Sequence, residues 1–478
     1  MDVIQDSGGD VEYKATLAEI GLKHKRKPSV RKWLMYNTIE GGLATVFIVF
    51  TGGAFLTGLA LDFGANDFEI GLLAAIPFVS QVAQLIAAYL IDRTGERKKI
   101  TIWCSVLARQ VWWLAIPLIF LDISWKMEAL VGIAAFSGVM IMVATPAWLS
   151  WLADLVPCRI RGRHFGIRNI AVAVATVTST IVGGMILDYF TGAGKNDIGF
   201  AIIIGMASLF ALLAAWLLGK IPDKPAVEIK HGTDYPSFWA PLREPRFMHL
   251  IKVYFVWNVA IGISAAFFAP HMLNFLNLSF TQISIYNSLA AMSAIFLNKP
   301  WGKLIDRFGC KPVMAFCAFG IALVPIVWLF PKPGFIWILI PETVFSGMLW
   351  AGLNLSIFNI PIANSPQNGR TVYLALFSLM GGLGFFAASI AGGGLAENWS
   401  DFSFYFGGQT IINYHLLFLI SSVLRLMSAF LMMTFHEPKE KTIPVMVQFM
   451  SSSVIRRIPV GKHILPRGAL FHRKDKRN

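Results

Sequence analysis

Four ionisable side chains stand inside or at the edge of long apolar runs, where a charge needs a chemical reason. Glu342 follows Pro341, Arg425 and Arg109 lie within apolar segments, and Glu40 opens a stretch that stays free of charge to Leu61. A carboxylate so placed can bind and release a proton or hold the polar part of a ligand. Glu342, beside a proline that can kink a helix, is the leading candidate for either role, with a structural ion pair to Arg425 as its alternative. Arg109 reads as a snorkelling or structural cation, or as a partner for Glu40 or a ligand anion. Glu40 reads as a ligand or coupling group, or as a solvated interfacial residue.

Neutral polar residues interrupt the same runs: Gln81, Gln84, Trp257, Asn258, Asn287, Trp350 and Asn354. Trp257 with Asn258, and Trp350 with Asn354, pair an aromatic face with an amide, the surface that sugars and other polar organic solutes require. Taken singly, each also fits an interhelical hydrogen bond or an interfacial tryptophan. Other chemistries lack their residues. No His/Cys cluster has metal spacing, no glycine-rich phosphate loop follows a strand and no Gly-x-Ser-x-Gly elbow occurs, so no metal, cofactor or catalytic set is expected.

The elements that must carry these residues are helices in lipid. Of 478 residues, 56% are hydrophobic and 14% charged, against roughly 25% charged in soluble domains. A water-soluble fold is therefore excluded. Apolar runs predict twelve spans, near 38–61, 69–91, 100–121, 128–152, 166–189, 198–219, 249–273, 281–304, 313–330, 335–358, 371–396 and 412–434, each long enough for a bilayer that takes about 20 residues. No alternating pattern of a membrane barrel occurs, so the fold class is an all-α membrane protein. The net charge of +14 does not point to nucleic acid, because 36 of the 41 Lys and Arg fall in every second connection. That alternation predicts an inner-membrane protein with both termini in the cytoplasm. Residues 1–37 are polar and the first apolar run is too long for a signal peptide, so the first span is expected to remain. Cys104, Cys158, Cys310 and Cys317 fall near the cytoplasmic ends of spans and read as unpaired small residues.

The proline-rich connection after the sixth span divides the chain into a cytoplasmic tail (1–37), a six-helix bundle (38–219), a linker (220–248), a second six-helix bundle (249–435) and a basic cytoplasmic tail (436–478). Residues 443–460, apolar with Arg456 and Arg457, read as a segment lying on anionic lipid or as a solvated tail. The halves repeat. Leu90-Ile91-Asp92-Arg93-Thr94-Gly95 follows the second span, and Leu304-Ile305-Asp306-Arg307-Phe308-Gly309 follows the eighth, 214 residues later. Each reversal needs a glycine able to take positive φ, and each aspartate can accept from a helix N-terminus or an arginine. Gly162-Arg163 after span four is echoed by Gly369-Arg370 after span ten. Two halves of one topology imply parallel repeats about an axis normal to the membrane. The Gly381-Gly382-x-Gly384 and Gly392-Gly393-Gly394 clusters are expected to allow close helix packing, and His271 and His415, near outer span ends, are expected to be solvated.

At these motifs the chain resembles the major facilitator superfamily, whose signature between helices 2 and 3 is Gly-x-Leu-x-Asp-Arg-x-Gly followed by basic residues. Gly302, Leu304, Asp306, Arg307, Gly309 and Lys311 match it fully, while the first copy has Ala88 and Glu96 where glycine and a basic residue are usual. The resemblance implies a rocker-switch, secondary-active transporter of a small organic solute, with a cavity lined mainly by helices 1, 4, 7 and 10. It also implies a cytoplasmic clasp in which Asp92 and Arg93 engage the start of helix 11 and Arg161 or Arg163, with Asp306 and Arg307 acting alike in the second half. A proton or other coupling ion, through Glu342 and Glu40, is an open option. The span-five segment with Gly183-Gly184 and no proline departs from the drug-antiporter signature of the family. Alternatives are a receptor or scaffold that kept the fold, or a lipid-modifying enzyme, for which the scattered histidines offer no converging site. Expected partners are the solute and membrane lipids, and the expected state is a monomer.

Overall fold

The computed structural model describes residues 30–156, 158–223, 240–366, 370–406, 408–435, 444–446 and 448–449. The greater part of both tails, most of the linker, Gly369 and the side chain of Asp92 lie outside them. Helices form wherever an apolar run satisfies its own backbone. In the first half they are α1 (Val30–Asp62, broken at 51–52), α2 (67–94), α3 (Arg97–Phe120), α4 (Lys126–Leu155), α5 (Cys158–Gly192) and α6 (Asn196–Gly219). The second half has α7 (Pro245–Phe275), α8 (Phe280–Phe308), α9 (Cys310–Val327), α10 (Leu339–Asn364), α11 (Arg370–Asn398) and α12 (Asn413–Leu431). Eleven of these are long and apolar enough to cross a membrane. The twelfth crossing, α2, is two shorter helices, Asp67–Val79 and Ala83–Thr94, joined by a 3-10 turn at Ser80–Val82 just after Pro77. A proline inside a helix removes one backbone donor and crowds the preceding turn, and the 3-10 turn re-satisfies that backbone.

Local signals set the helix starts. Asn66 and Glu69 form a reciprocal capping box at the head of α2, and Ser279 and Gln282 form another at the head of α8, 213 residues on. Both expected glycine reversals are present: Gly95 has φ 65° and Gly309 has φ 93°. Among the described residues the first helix already runs from Val30, eight residues before the apolar run, where its polar turns need only water or headgroups around them. Between α11 and α12 the chain adds a small hairpin, β1 (Ser403–Phe406) with β2 (Gln409–Ile412), in a stretch the sequence left as a loop.

Within the first bundle α1 packs on α5 and α6, and α3 on α4; within the second, α7 packs on α11 and α12, and α10 on α8 and α9. The bundles meet along two seams, α2 with α11 and α5 with α8. Lipid removes most of the hydrophobic drive between helices, so close backbone approach has to supply the attraction. The glycines of α11 do this on two faces, as their clustering predicts. A Cβ on Gly392 would collide with the Ile263 carbonyl of α7, and one on Gly393 would meet Phe68 of α2 at 3.0 Å.

Candidate functional site: a polar hollow closed at one face

The helices enter at Val30 on one face and turn at the opposite, far face, where α2, α8 and the hairpin begin. There each seam is latched by a carboxylate. Asp188, near the end of α5, accepts from the first free N–H groups of α8, Phe280 at 2.8 Å and Thr281 at 2.9 Å. Glu397, near the end of α11, accepts from Asp67 N–H at the head of α2 at 3.0 Å. Asp67 in turn accepts from Tyr414 Oη at 2.6 Å and Asn413 Nδ2 at 3.0 Å of α12. Helix N-termini present unpaired donors and a positive dipole end, so a carboxylate is their natural partner. One turn before each latch sits a glycine that lets the backbones meet, Gly184 against Phe280 and Gly393 against Phe68. Ser389 Oγ donates to the Gly71 carbonyl, and Phe78 stacks on Phe385, continuing the α2–α11 seam inward.

Toward the Val30 face the same helices carry exposed polar side chains at membrane depth, including Asn169 and Thr178 on α5, Asn287 and Asn298 on α8, and Asn354 on α10. Exposed amides at that depth require water beside them, since lipid cannot satisfy them. A cavity of about 550 Å³ lies against the second bundle, lined by Asn298 of α8 and by Ser346, Trp350 and Asn354 of α10. The latched far face thus stands above a cavity between α8 and α10 and above polar groups exposed on α5 and α8. Of the residues singled out in the sequence, Trp350 and Asn354 line the cavity. Asn287 lies one turn before its lining residue Ala290 on α8. Trp257 is buried with its ring centroid 6.4 Å from that of Trp350, and Asn258 donates to the Tyr254 carbonyl within α7. Gln81 abuts Gly382 on the α2–α11 seam, and Gln84 reaches Met142 Sδ at 3.5 Å.

In the first bundle the structure gathers a charge cluster. Glu40, 3% exposed in its side chain, has Arg168 Nη2 at 3.4 Å and Arg109 Nη2 at 4.0 Å. The Arg109 contact was one of the options the sequence offered. Arg168 was missed, because it falls among the basic residues counted as membrane anchors. Its guanidinium lies 4.6 Å from the Trp148 ring centroid, and one turn earlier His164 Nε2 meets Asn37 Oδ1 at 3.0 Å.

One alternative falls and one expectation is corrected. Glu342 and Arg425 do not form an ion pair: Glu342 Oε2 accepts from Tyr286 Oη at 2.8 Å, while Arg425 Nη2 donates to Ser264 Oγ at 3.3 Å and Arg425 is held wholly within the second bundle. Helical rise gave their depths but not their directions about two helix axes. His271 and His415 are fully buried rather than solvated, their Nε2 atoms 3.2 Å apart, packed by Phe275, Trp328 and Phe418. The hairpin and the turn ending α7 roof a site that a linear reading leaves open to water. Glu342, 6% exposed, sits one turn beyond Ser346, so one face of α10 runs Glu342, Ser346, Trp350, Asn354 into the cavity.

At the Val30 face Arg161 Nη2 donates to the carbonyls of Ala153 and Val156 and so caps α4, while Arg97 pairs with Asp154 at 2.7 Å. Arg93, Arg163, Asp306 and Arg307 are all exposed there.

Two repeated six-helix bundles joined along two seams, with a cavity against the second bundle, are the architecture of a membrane transport protein. The chain belongs to the Major Facilitator Superfamily, which it matches over residues 41–365 and 253–474. It is 26% identical over 286 residues to the minor myo-inositol transporter IolF of Bacillus subtilis (strain 168), an alignment covering 55% of this chain. The chain spans 62% of the length of that relative. In fold it is similar to a variant of the nucleoside transporter NupG, with a TM-score of 0.68 at 13% identity over 85% of this chain and 100% of that one. A D-xylose-proton symporter gives a TM-score of 0.63 at 15% identity over 86% and 98% of the two chains.

Proposed function

We propose that this protein is a secondary-active transporter of a small polyhydroxylated solute, working by alternating access in a cell inner membrane with both termini in the cytoplasm. The observation that carries the reading is the far face latched at Asp188 and Glu397 above a hollow lined by Trp350, Asn298 and Asn354. Indole faces take the apolar side of a sugar or cyclitol ring, and amides both donate to and accept from its hydroxyls. A relative named for myo-inositol supports that class of solute. In the opposite state the far latches release, and the basic loops of Arg93, Arg161, Arg163 and Arg307, with Asp92 and Asp306, close the cytoplasmic side. Glu342, hydrogen-bonded to Tyr286 at the end of the α10 polar face, is the group proposed to carry a coupling proton.

Counterflow in proteoliposomes tests the reading with labelled myo-inositol, D-xylose and a nucleoside. Uptake of at least one against its unlabelled pool is the expected result. Sealed vesicles that exchange neither these three nor a charged sugar such as D-glucuronate would remove the polyhydroxylated class.

A further inference from the structure

We infer that Glu40, Arg109 and Arg168 form a docking site for a carboxylate, so that the solute is a carboxylated sugar of the uronate kind. The inference deepens the polyhydroxylated-solute reading above and rests on it. The first support is charge. Two guanidiniums face one carboxylate, and among the described residues no second acid lies within ion-pairing distance of either. One positive charge is thus unbalanced at a depth where an uncompensated charge is costly.

Geometry is the second support. Arg97 and Asp154, in the same bundle, close to 2.7 Å, within the range of a tight charge-assisted bond. The Glu40 contacts stay at 3.4 and 4.0 Å, and Arg109 Nη1, Arg168 Nε and Trp148 Nε1 are buried donors without a partner. Gly41 keeps room for the site, since a Cβ there would meet the Arg168 guanidinium carbon at 2.8 Å.

Position is the third. Glu40 lies ten residues into α1 and Arg168 ten into α5, while Asn298 and Asn354 lie ten before the ends of α8 and α10. At the rise of a helix Arg168, which holds Glu40, and the two amides are about 15 Å from the Val30 face. The first bundle therefore offers cations and an indole at the level where the second offers amides, one end of the site for a carboxylate and the other for hydroxyls. A single excess charge balances a monocarboxylate, whereas a phosphate monoester carries about −1.5 to −2 and would overshoot it.

Thermal shift of the full-length protein in detergent, at fixed ionic strength, tests this with D-glucuronate, D-glucose and glucose 6-phosphate. Glucuronate is expected to bind at least about tenfold more tightly than glucose, as one added charge-assisted contact implies. Arg168→Gln should erase that preference and Arg168→Lys should keep part of it. Glu40→Gln should enlarge it, because the site then carries two unopposed cations; a structural triad would only melt earlier. Equal responses to glucuronate and glucose, a preference that survives Arg168→Gln, or a larger response to glucose 6-phosphate would each overturn the assignment. Counterflow of myo-inositol with glucuronate inert would overturn it while leaving the transport reading standing.

Discussion

Asp188 and Glu397 are the same residue of a duplicated structure. They stand 209 residues apart, each four residues after a glycine, each accepting from backbone N–H at the head of a helix in the other bundle. The relation is reciprocal: α5 of the first half latches α8, and α11 of the second latches α2. A pseudo-twofold axis thus makes one local device serve both seams, and release of either leaves the other holding.

Latch strength should set the balance between the two faces. A carboxylate at a helix N-terminus contributes roughly 0.5 to 2 kcal/mol, so Asp188→Asn or Glu397→Gln should raise the far-face-open population several-fold. The pair of changes together should do more than either alone. A cysteine placed at Asn354 in a background lacking the native cysteines should then react faster with an impermeant thiol reagent added from the far side. Unchanged labelling rates would remove the latches from the gate.

Closure also depends on backbone approach. A Cβ at Gly71 would lie 2.7 Å from the Ser389 carbonyl, so Gly71→Leu should hold the α2–α11 seam apart. Overpacking of this kind costs about 1 to 3 kcal/mol. Counterflow should fall while the variant still purifies as a folded protein with the same labelling bias as the latch variants.

The proposed proton coupling is testable apart from transport. Glu342→Gln cannot release a proton but keeps an acceptor for Tyr286 Oη. It should abolish accumulation driven by a pH gradient and retain counterflow at equal concentrations. Tyr286→Phe, which strips the carboxylate of its 2.8 Å donor, should retain coupling with an altered pH dependence. Gradient-driven accumulation in Glu342→Gln equal to wild type would take the proton away from this site.

The histidine pair is asymmetric. His415 Nδ1 accepts from the Ile412 N–H at 2.9 Å, which places the ring proton on Nε2, pointing at His271, whose Nδ1 has no partner. His415→Phe leaves a backbone donor unpaired under the hairpin and should destabilise by about 1 to 3 kcal/mol. His271→Phe loses less and should melt within a few degrees of wild type. Equal losses in the two variants would contradict the proton placement.

Much was written along the chain. Apolar runs and alternating basic loops determined the number and order of helices, because the length of an apolar run and its flanking charge depend on nothing beyond the run itself. The repeat spacing determined the two halves, the glycine reversals at 95 and 309, and the close packing of α11. The same spacing also contained Asp188 and Glu397, unread because an acid at a helix end looks solvated until a partner helix is known. What only the tertiary structure decided is who faces whom. Rotation about each helix axis turned Glu342 to Tyr286 instead of Arg425, brought Arg168 from an apparent anchor onto Glu40, and roofed His271 and His415. Periodicity specifies a face, but the neighbour that meets it is set by packing between helices far apart in sequence, and that packing selects which buried charges remain unbalanced.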